Sequence, residues 1–200
     1  MSEPGIKSKP NYPGLEPDTS ARQHLLIGEA DGAGSLARTL DGLIGTANED
    51  TITVLYTPGD GSDHSSTLTA ARYPTPTISA QLEDVITAMQ GVLRDARMGT
   101  RMYVAGSEPF IWAVIRAARE LGMAEAAIQR ERCGLMGRSV ICVHCKTTAW
   151  RVSTTIYQCP GCELHLFVRD HFSRRWGVYQ GVCVDAEAPG EVPEPEELEP

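Results

Sequence analysis

Two cysteine pairs, Cys142-Val-His-Cys145 and Cys159-Pro-Gly-Cys162, are the residues of this chain whose type and spacing point most directly to chemistry. A Cys-x-x-Cys pair bends its backbone tightly enough to aim both sulfurs at one ion. Two such pairs complete the tetrahedral set of thiolates that a metal site needs. Thirteen residues, Lys146 to Gln158, separate the pairs. Within them, Thr148-Ala-Trp-Arg-Val-Ser-Thr-Thr-Ile-Tyr157 is rich in β-branched and aromatic residues. That segment is expected to run out and back as a β-hairpin that brings the two knuckles together, as in a zinc ribbon. Cys142, Cys145, Cys159 and Cys162 are therefore the predicted ligands of one metal ion. Zinc in a structural role is the expected metal. Rubredoxin-type iron takes the same four thiolates and is the alternative. Its knuckles usually carry glycine after the second Cys. Here Lys146 and Glu163 stand in those places, and both cost more than glycine in a left-handed conformation.

Other reactive side chains are expected to play lesser parts. With four cysteines present, His144, His165 and His171 read as surface residues or as supports behind the ligands. Cys133 and Cys183 fall outside the spacing and read as small buried thiols. No residue is assigned a catalytic or cofactor-binding role. Arg169-Asp-His-Phe-Ser-Arg-Arg-Trp176 interleaves charge with aromatics. It reads either as a ribbon strand with solvated Arg and buried Phe172 and Trp176, or as a docking surface, since Arg and Trp anchor interfaces.

The elements that must position these residues are bounded by composition. A hydrophobic content of 42% suffices for a core. No run approaches the roughly 18 apolar residues of a membrane span, and the first residues lack the apolar stretch of a secretory signal. Six cysteines without a leader fit a reducing compartment, and the cytoplasm is the expected location. The net charge of −8 is concentrated at one end: residues 187–200 hold six Glu and no Lys or Arg. The remainder is nearly neutral, which argues against nucleic acid as a partner.

Residues 1–21, with four Pro and two Gly, read as an extended N-terminal arm. Residues 22–134 alternate strand and helix signals. His24-Leu-Leu-Ile27 meets a Gly-rich turn and a helix, and Thr51–Tyr56 is a buried strand. A helical stripe follows through Leu82, Val85, Ile86, Met89 and Leu93, with Ser79 as its cap. Then come a strand at Thr100–Ala105, a helix from Phe110 to Leu121 with Pro109 at its start, and a last strand at Ala127–Arg132. This order predicts an α/β domain with a parallel sheet. Residues 135–187 form the predicted zinc ribbon, a third strand being supplied by Leu164, Leu166 and Val168. Residues 188–200 form an acidic Pro/Glu tail, expected to be solvated.

Tyr103-Val-Ala-Gly-Ser-Glu-Pro-Phe110, the helix ending Glu120-Leu-Gly-Met123, and Ile128-Gln-Arg-Glu131 resemble the end of the nicotinamide-binding domain of ferredoxin–NADP reductases. The likeness spans residues 22–134 and implies a Rossmann-type, reductase-like fold. The family's cysteine beside the nicotinamide is Ala105 here, and the proline after it is Ser107. The phosphate loop has become Gly28-Glu-Ala-Asp-Gly-Ala-Gly34, so Glu29 and Asp31 would repel a pyrophosphate. A fold that kept its shape and lost its cofactor is the expectation.

Cys-Val-His-Cys, Cys-Pro-Gly-Cys, Val168-Arg-Asp-His-Phe-Ser-Arg-Arg175, Gly181-Val-Cys-Val-Asp-Ala-Glu187 and Pro189-Gly-Glu-Val-Pro193 resemble the C-terminal domain of the small accessory (DmmA-type) subunit of dimethylamine monooxygenase. The resemblance implies a non-catalytic subunit of a complex that uses NADPH and oxygen to convert dimethylamine to methylamine and formaldehyde. Its partners would be a haem oxygenase subunit and a flavin and iron–sulfur reductase subunit. Haem, flavin, Fe–S cluster and NADPH would all belong to those partners. Two alternatives stay open: a rubredoxin-like iron electron carrier in the same complex, and a free-standing zinc-ribbon binding module.

Overall fold

The computed structural model describes residues 8–70, 72–134 and 136–198. The chain divides into two units: Tyr12–Gly134, and Leu135–Pro200 together with Met1–Asn11.

In the first unit the three central strands carry apolar runs rather than an alternating pattern, so both their faces must be covered, and helices cover them. Its elements are β1 (Gln23–Glu29), α1 (Gly32–Leu43), β2 (Ile52–Thr57), β3 (Thr77–Ile78), α2 (Leu82–Arg94), β4 (Thr100–Gly106), α3 (Glu108–Glu120) and β5 (Ile128–Arg132). The five strands lie in the order β3-β2-β1-β4-β5, all parallel. This is the strand order of a Rossmann-type, reductase-like sheet, and it places the switch point between β1 and β4. Leu25, Leu26, Ile27, Tyr56, Tyr103, Val104, Phe110, Ile111 and Trp112 are buried in its core. Two local expectations need correcting. The N-cap position of α2 is Gln81, whose side chain makes no capping bond, and not Ser79, whose N–H bonds to the Tyr56 carbonyl instead. Strand β3 has only two residues, both exposed, and so carries no apolar signal.

The described part of the arm is without helix or strand up to Asp18, yet it is held closely. Leu15 is buried, and the amides of Leu15 and Glu16 donate to the side chains of Glu131 and Gln129 on β5. The Asp18 N–H donates to the Tyr103 hydroxyl, and Asp18 pairs with Arg101 at 2.6 Å. Glu131 brackets three elements: it accepts from Leu15 N–H, from Ser35 Oγ on α1 at 2.7 Å and from Arg38 at 2.6 Å. Burial pushes its carboxyl up, but the bonds from Ser35, Arg38 and the Leu15 amide outweigh that and leave it below the usual range. A lowered folded-state pKa contributes stability above the unfolded value of about 4.3, and that stability is lost as pH falls through the folded value. Glu131→Gln is therefore expected to cost about 1–2 kcal/mol at pH 7 and progressively less as pH falls through the folded value, as urea titrations at neutral and acid pH would show.

The second unit holds β6 (Arg138–Cys142), β7 (Thr148–Val152), β8 (Ile156–Gln158), β9 (His165–Ser173) and β10 (Val178–Cys183), in the order β7-β6-β10-β9-β8. This five-stranded sheet corrects the expectation of three strands. The hairpin placed between the knuckles does not form either. β7 pairs with β6, β8 pairs with β9, and the two lie at opposite edges. The physical reason is that a Cys-x-x-Cys loop itself reverses the chain, so each knuckle is the turn of its own hairpin. The parallel pairing of β6 with β10, and of β10 antiparallel to β9, joins the two hairpins at the centre. The exposed acidic tail is also tied to this unit: Thr155 N–H donates to the Glu196 carbonyl and Leu198 N–H to that of Ser153. Among the described residues no helix is long and apolar enough to cross a membrane.

Candidate metal centre

Cys142 ends β6 and Cys159 follows β8, so the two hairpin turns hold them on facing knuckles. The first knuckle closes with Lys146 N–H donating to the Cys142 carbonyl at 3.0 Å. The second repeats it, with Glu163 N–H donating to that of Cys159 at 2.9 Å. In both, the residue after the second Cys is left-handed: Lys146 at φ 65° and Glu163 at φ 60°. The knuckle conformation is thus reached without glycine, and the missing glycines give no ground for preferring zinc over iron.

The Sγ atoms of Cys142, Cys145, Cys159 and Cys162 all lie within 4.8 Å of one another. The Cys142–Cys162 separation is 3.8 Å and that of Cys145–Cys159 is 3.6 Å. These are far beyond a disulfide bond of about 2.05 Å. They match the edge of about 3.8 Å of a tetrahedron whose metal–sulfur bonds are about 2.3 Å. The electrostatics agree. Thr147 hydroxyl and amide contacts, with help from Cys159 and Cys162, hold the Cys145 thiol down to about 6. The Leu164 amide pulls Cys162 down too, but burial and the three neighbouring thiols win and push it up to about 12. Four sulfurs this close cannot all ionise without a cation among them, and a divalent ion supplies that charge. The donor set therefore fits one metal ion.

Sequence reasoning passed over Gly161, Thr147 and Tyr157. A Cβ on Gly161 would collide with the Thr147 hydroxyl and lie 3.2 Å from Cys145 Sγ, so glycine here lets the knuckles close on each other. Only the known spacing of the two knuckles could have signalled that. Gly161→Ala is expected to weaken metal binding about 10–100-fold, measured by competition with a chelator. Tyr157 packs beside the sulfurs with its buried hydroxyl lacking a hydrogen-bond partner among the described residues. His144, His165 and His171 stay outside the sulfur cluster and are all exposed. Cys133 contacts Ser35 Oγ at 3.3 Å, and Cys183 contacts Asp185 at 3.2 Å. Of the two aromatics in the Arg169–Trp176 segment, Phe172 is buried whereas Trp176 is 59% exposed.

In the sheet unit, the crevice at the β1/β4 switch point is lined by the residues expected to repel phosphate. One Glu29 carboxylate oxygen accepts from the Ser107 amide at 3.0 Å and from the Ser107 hydroxyl at 2.5 Å. Ser107 is the N-cap of α3, so Glu29 sits at the helix terminus where an anionic ligand would otherwise bind. Asp31 pairs with His64 at 3.1 Å, and Tyr56 Oη donates to the Ala30 carbonyl.

The family described as dimethylamine monooxygenase subunit DmmA-like matches here through its N-terminal domain at residues 4–128 and its C-terminal domain at residues 139–182. The chain belongs to this DmmA-like family. A curated relative, the heme-dependent oxidative N-demethylase delta subunit of Ectopseudomonas mendocina (strain ymp), is 32% identical over 182 residues, 91% of each chain. Among solved structures, a ferredoxin reductase in carbazole 1,9a-dioxygenase is 19% identical with a TM-score of 0.46, over 59% of this chain and 36% of that one. A flavohemoglobin from Malassezia yamatoensis is 16% identical with a TM-score of 0.41, over 60% of this chain and 33% of that one. The chain thus spans about a third of each of these two structures, whereas its family match extends over both units.

Proposed function

We propose that this chain is a non-catalytic accessory subunit of a multicomponent dimethylamine monooxygenase, an NADPH- and oxygen-dependent system of methylated-amine metabolism. The observation that carries the non-catalytic part is Glu29, whose carboxylate is bonded to the cap of α3 and occupies the crevice a dinucleotide phosphate would need. Membership of the DmmA-like family and the delta-subunit relative support the placement in a complex. Haem, flavin and iron–sulfur cluster belong in this proposal to a haem oxygenase subunit and a reductase subunit. Those subunits oxidise dimethylamine to methylamine and formaldehyde.

One zinc ion on Cys142, Cys145, Cys159 and Cys162 would supply a fixed, redox-inert crosslink between the two hairpins. The residues of this chain then act by position. The knuckles fix the β6–β7 and β8–β9 hairpins, and β7 presents exposed Trp150, β9 exposed Phe167 and Arg169, and the β9–β10 turn exposed Trp176 for subunit contacts. Omitting the chain from a reconstituted complex is expected to lower dimethylamine turnover at least tenfold. Equal turnover without it would overturn the proposal. The left-handed Lys146 and Glu163 keep a second reading in play, an iron tetrathiolate that relays electrons. Visible absorption separates the two.

A further inference from the structure

The last described residues of the chain occupy a slot in the second unit, and they fit it incompletely. Thr155 N–H donates to the Glu196 carbonyl at 2.7 Å, Leu198 N–H to the Ser153 carbonyl at 2.8 Å, and Glu196 N–H to Thr155 Oγ1 at 3.0 Å. Thr154 and Glu197 form an antiparallel bridge. Glu196–Leu198 is thus a short added strand. Together with Phe167 and Arg169 of β9 it lines a cavity of about 420 Å³.

Two features make this added strand exchangeable. Glu194 to Glu197 are exposed, so little apolar area holds them. Three exposed hydrogen bonds exceed the cost of ordering three residues by only a small margin, about tenfold in population. The slot is also unsatisfied with the tail in place. Phe167 remains 42% exposed, and Arg169 makes no ion pair among the described residues, whereas Arg138 at the same cavity is held by Asp170 at 3.0 Å. β9 directs His165, Phe167, Arg169 and His171 to its exposed side.

We propose that this slot is the docking site for an extended acidic segment of another subunit, with the chain's own tail as its competitor. The incoming segment adds a strand along Ser153–Thr155, sets a carboxylate against Arg169 and lays an apolar side chain over Phe167. Main-chain bonds give it purchase and the Arg–Phe pair gives it preference. The tail mimics this chemistry: six Glu and no Lys or Arg in residues 187–200, with Leu198 among them. The proposal rests on the accessory-subunit reading, because the segment comes from another subunit.

The test uses a fluorescent peptide of residues 188–200 as probe. It is expected to bind a chain ending at Pro193 at least tenfold more tightly than the full-length chain. Leu198→Pro in the full-length chain, which removes the N–H given to Ser153 without shortening anything, should behave like the shortened chain. Arg169→Glu in the shortened chain should weaken binding at least tenfold, and added salt should weaken it as well. In competition for the other subunits of the complex, the shortened chain should outcompete the full-length chain about threefold or more, and the peptide should inhibit assembly. Equal peptide binding with and without the tail, indifference to Arg169→Glu, or assembly unaffected by both tail and peptide would overturn the docking site while leaving the accessory role standing. Failure of the full-length chain to associate with any other subunit would instead overturn the accessory role.

Discussion

Replacing Cys142 by serine is expected to empty the metal centre and unfold the β6–β10 sheet while leaving the β1–β5 sheet intact. Cys142 and Cys159 are buried, and with Leu166 they form the apolar cluster at the heart of the second unit, flanked by Cys145, Tyr157, Cys162 and Leu164. The ligands are thus part of the core. The unit also buries Val140, Val168, Phe172 and Tyr179, but a domain below about 80 residues is marginal without a staple. Structural zinc contributes about 10–16 kcal/mol of apparent binding energy at neutral pH, most of which is folding energy for such a unit. Native mass spectrometry should show the metal falling from one per chain to almost none. Hydrogen exchange should show loss of protection in β6, β9 and β10. Protection retained in those strands would mean that the sheet stands without its metal. The β1–β5 unit has a separate core, and its amides should exchange as before.

Gly32→Ala is expected to have an effect of similar weight on the other unit. A Cβ at Gly32 would sit inside van der Waals contact of the Ala105 carbonyl oxygen and 3.1 Å from Gly106 N. Every atom it meets is backbone, so relief requires pulling the start of α1 away from the end of β4. A cost of about 3 kcal/mol or more is expected, at the upper end for overpacking because no flexible side chain can yield. Gly34, two residues along the same helix, meets nothing within 4 Å. Gly34→Ala should be neutral or stabilise by up to about 1 kcal/mol. Thermal or urea unfolding of the two variants side by side checks both signs. The same closeness matters for function, since the start of α1, which would cradle a phosphate in a dinucleotide site, is pressed onto β4.

Local apolar signals carried far in this chain. The runs at His24–Ile27, Thr51–Tyr56 and Thr100–Ala105 fall on β1, β2 and β4, because a strand buried on both faces must be apolar throughout. The cysteine spacing likewise pointed to four sulfurs that the fold does bring together. Non-local choices were not legible. The β-branched run Thr148–Tyr157 has the same composition whether its halves pair with each other or with β6 and β9. Only the turn formed by each knuckle decides between these. Glu29 could be flagged as hostile to phosphate, but its bond to Ser107 joins residues 78 apart and has no sequence signature. Ser107 and Ser79 look alike as helix caps. Packing of the β4–α3 turn selects one, and the β3 pairing that ties Ser79 to Tyr56 removes the other.

Metal content and the visible spectrum of the chain, purified together with its partner subunits and then separated from them, test the central claim most directly. One zinc per chain and no visible absorption are expected, because a d¹⁰ ion with four thiolates is colourless and redox-inert. One iron per chain with thiolate charge-transfer bands would make this subunit part of the electron path and contradict its role as a non-catalytic accessory.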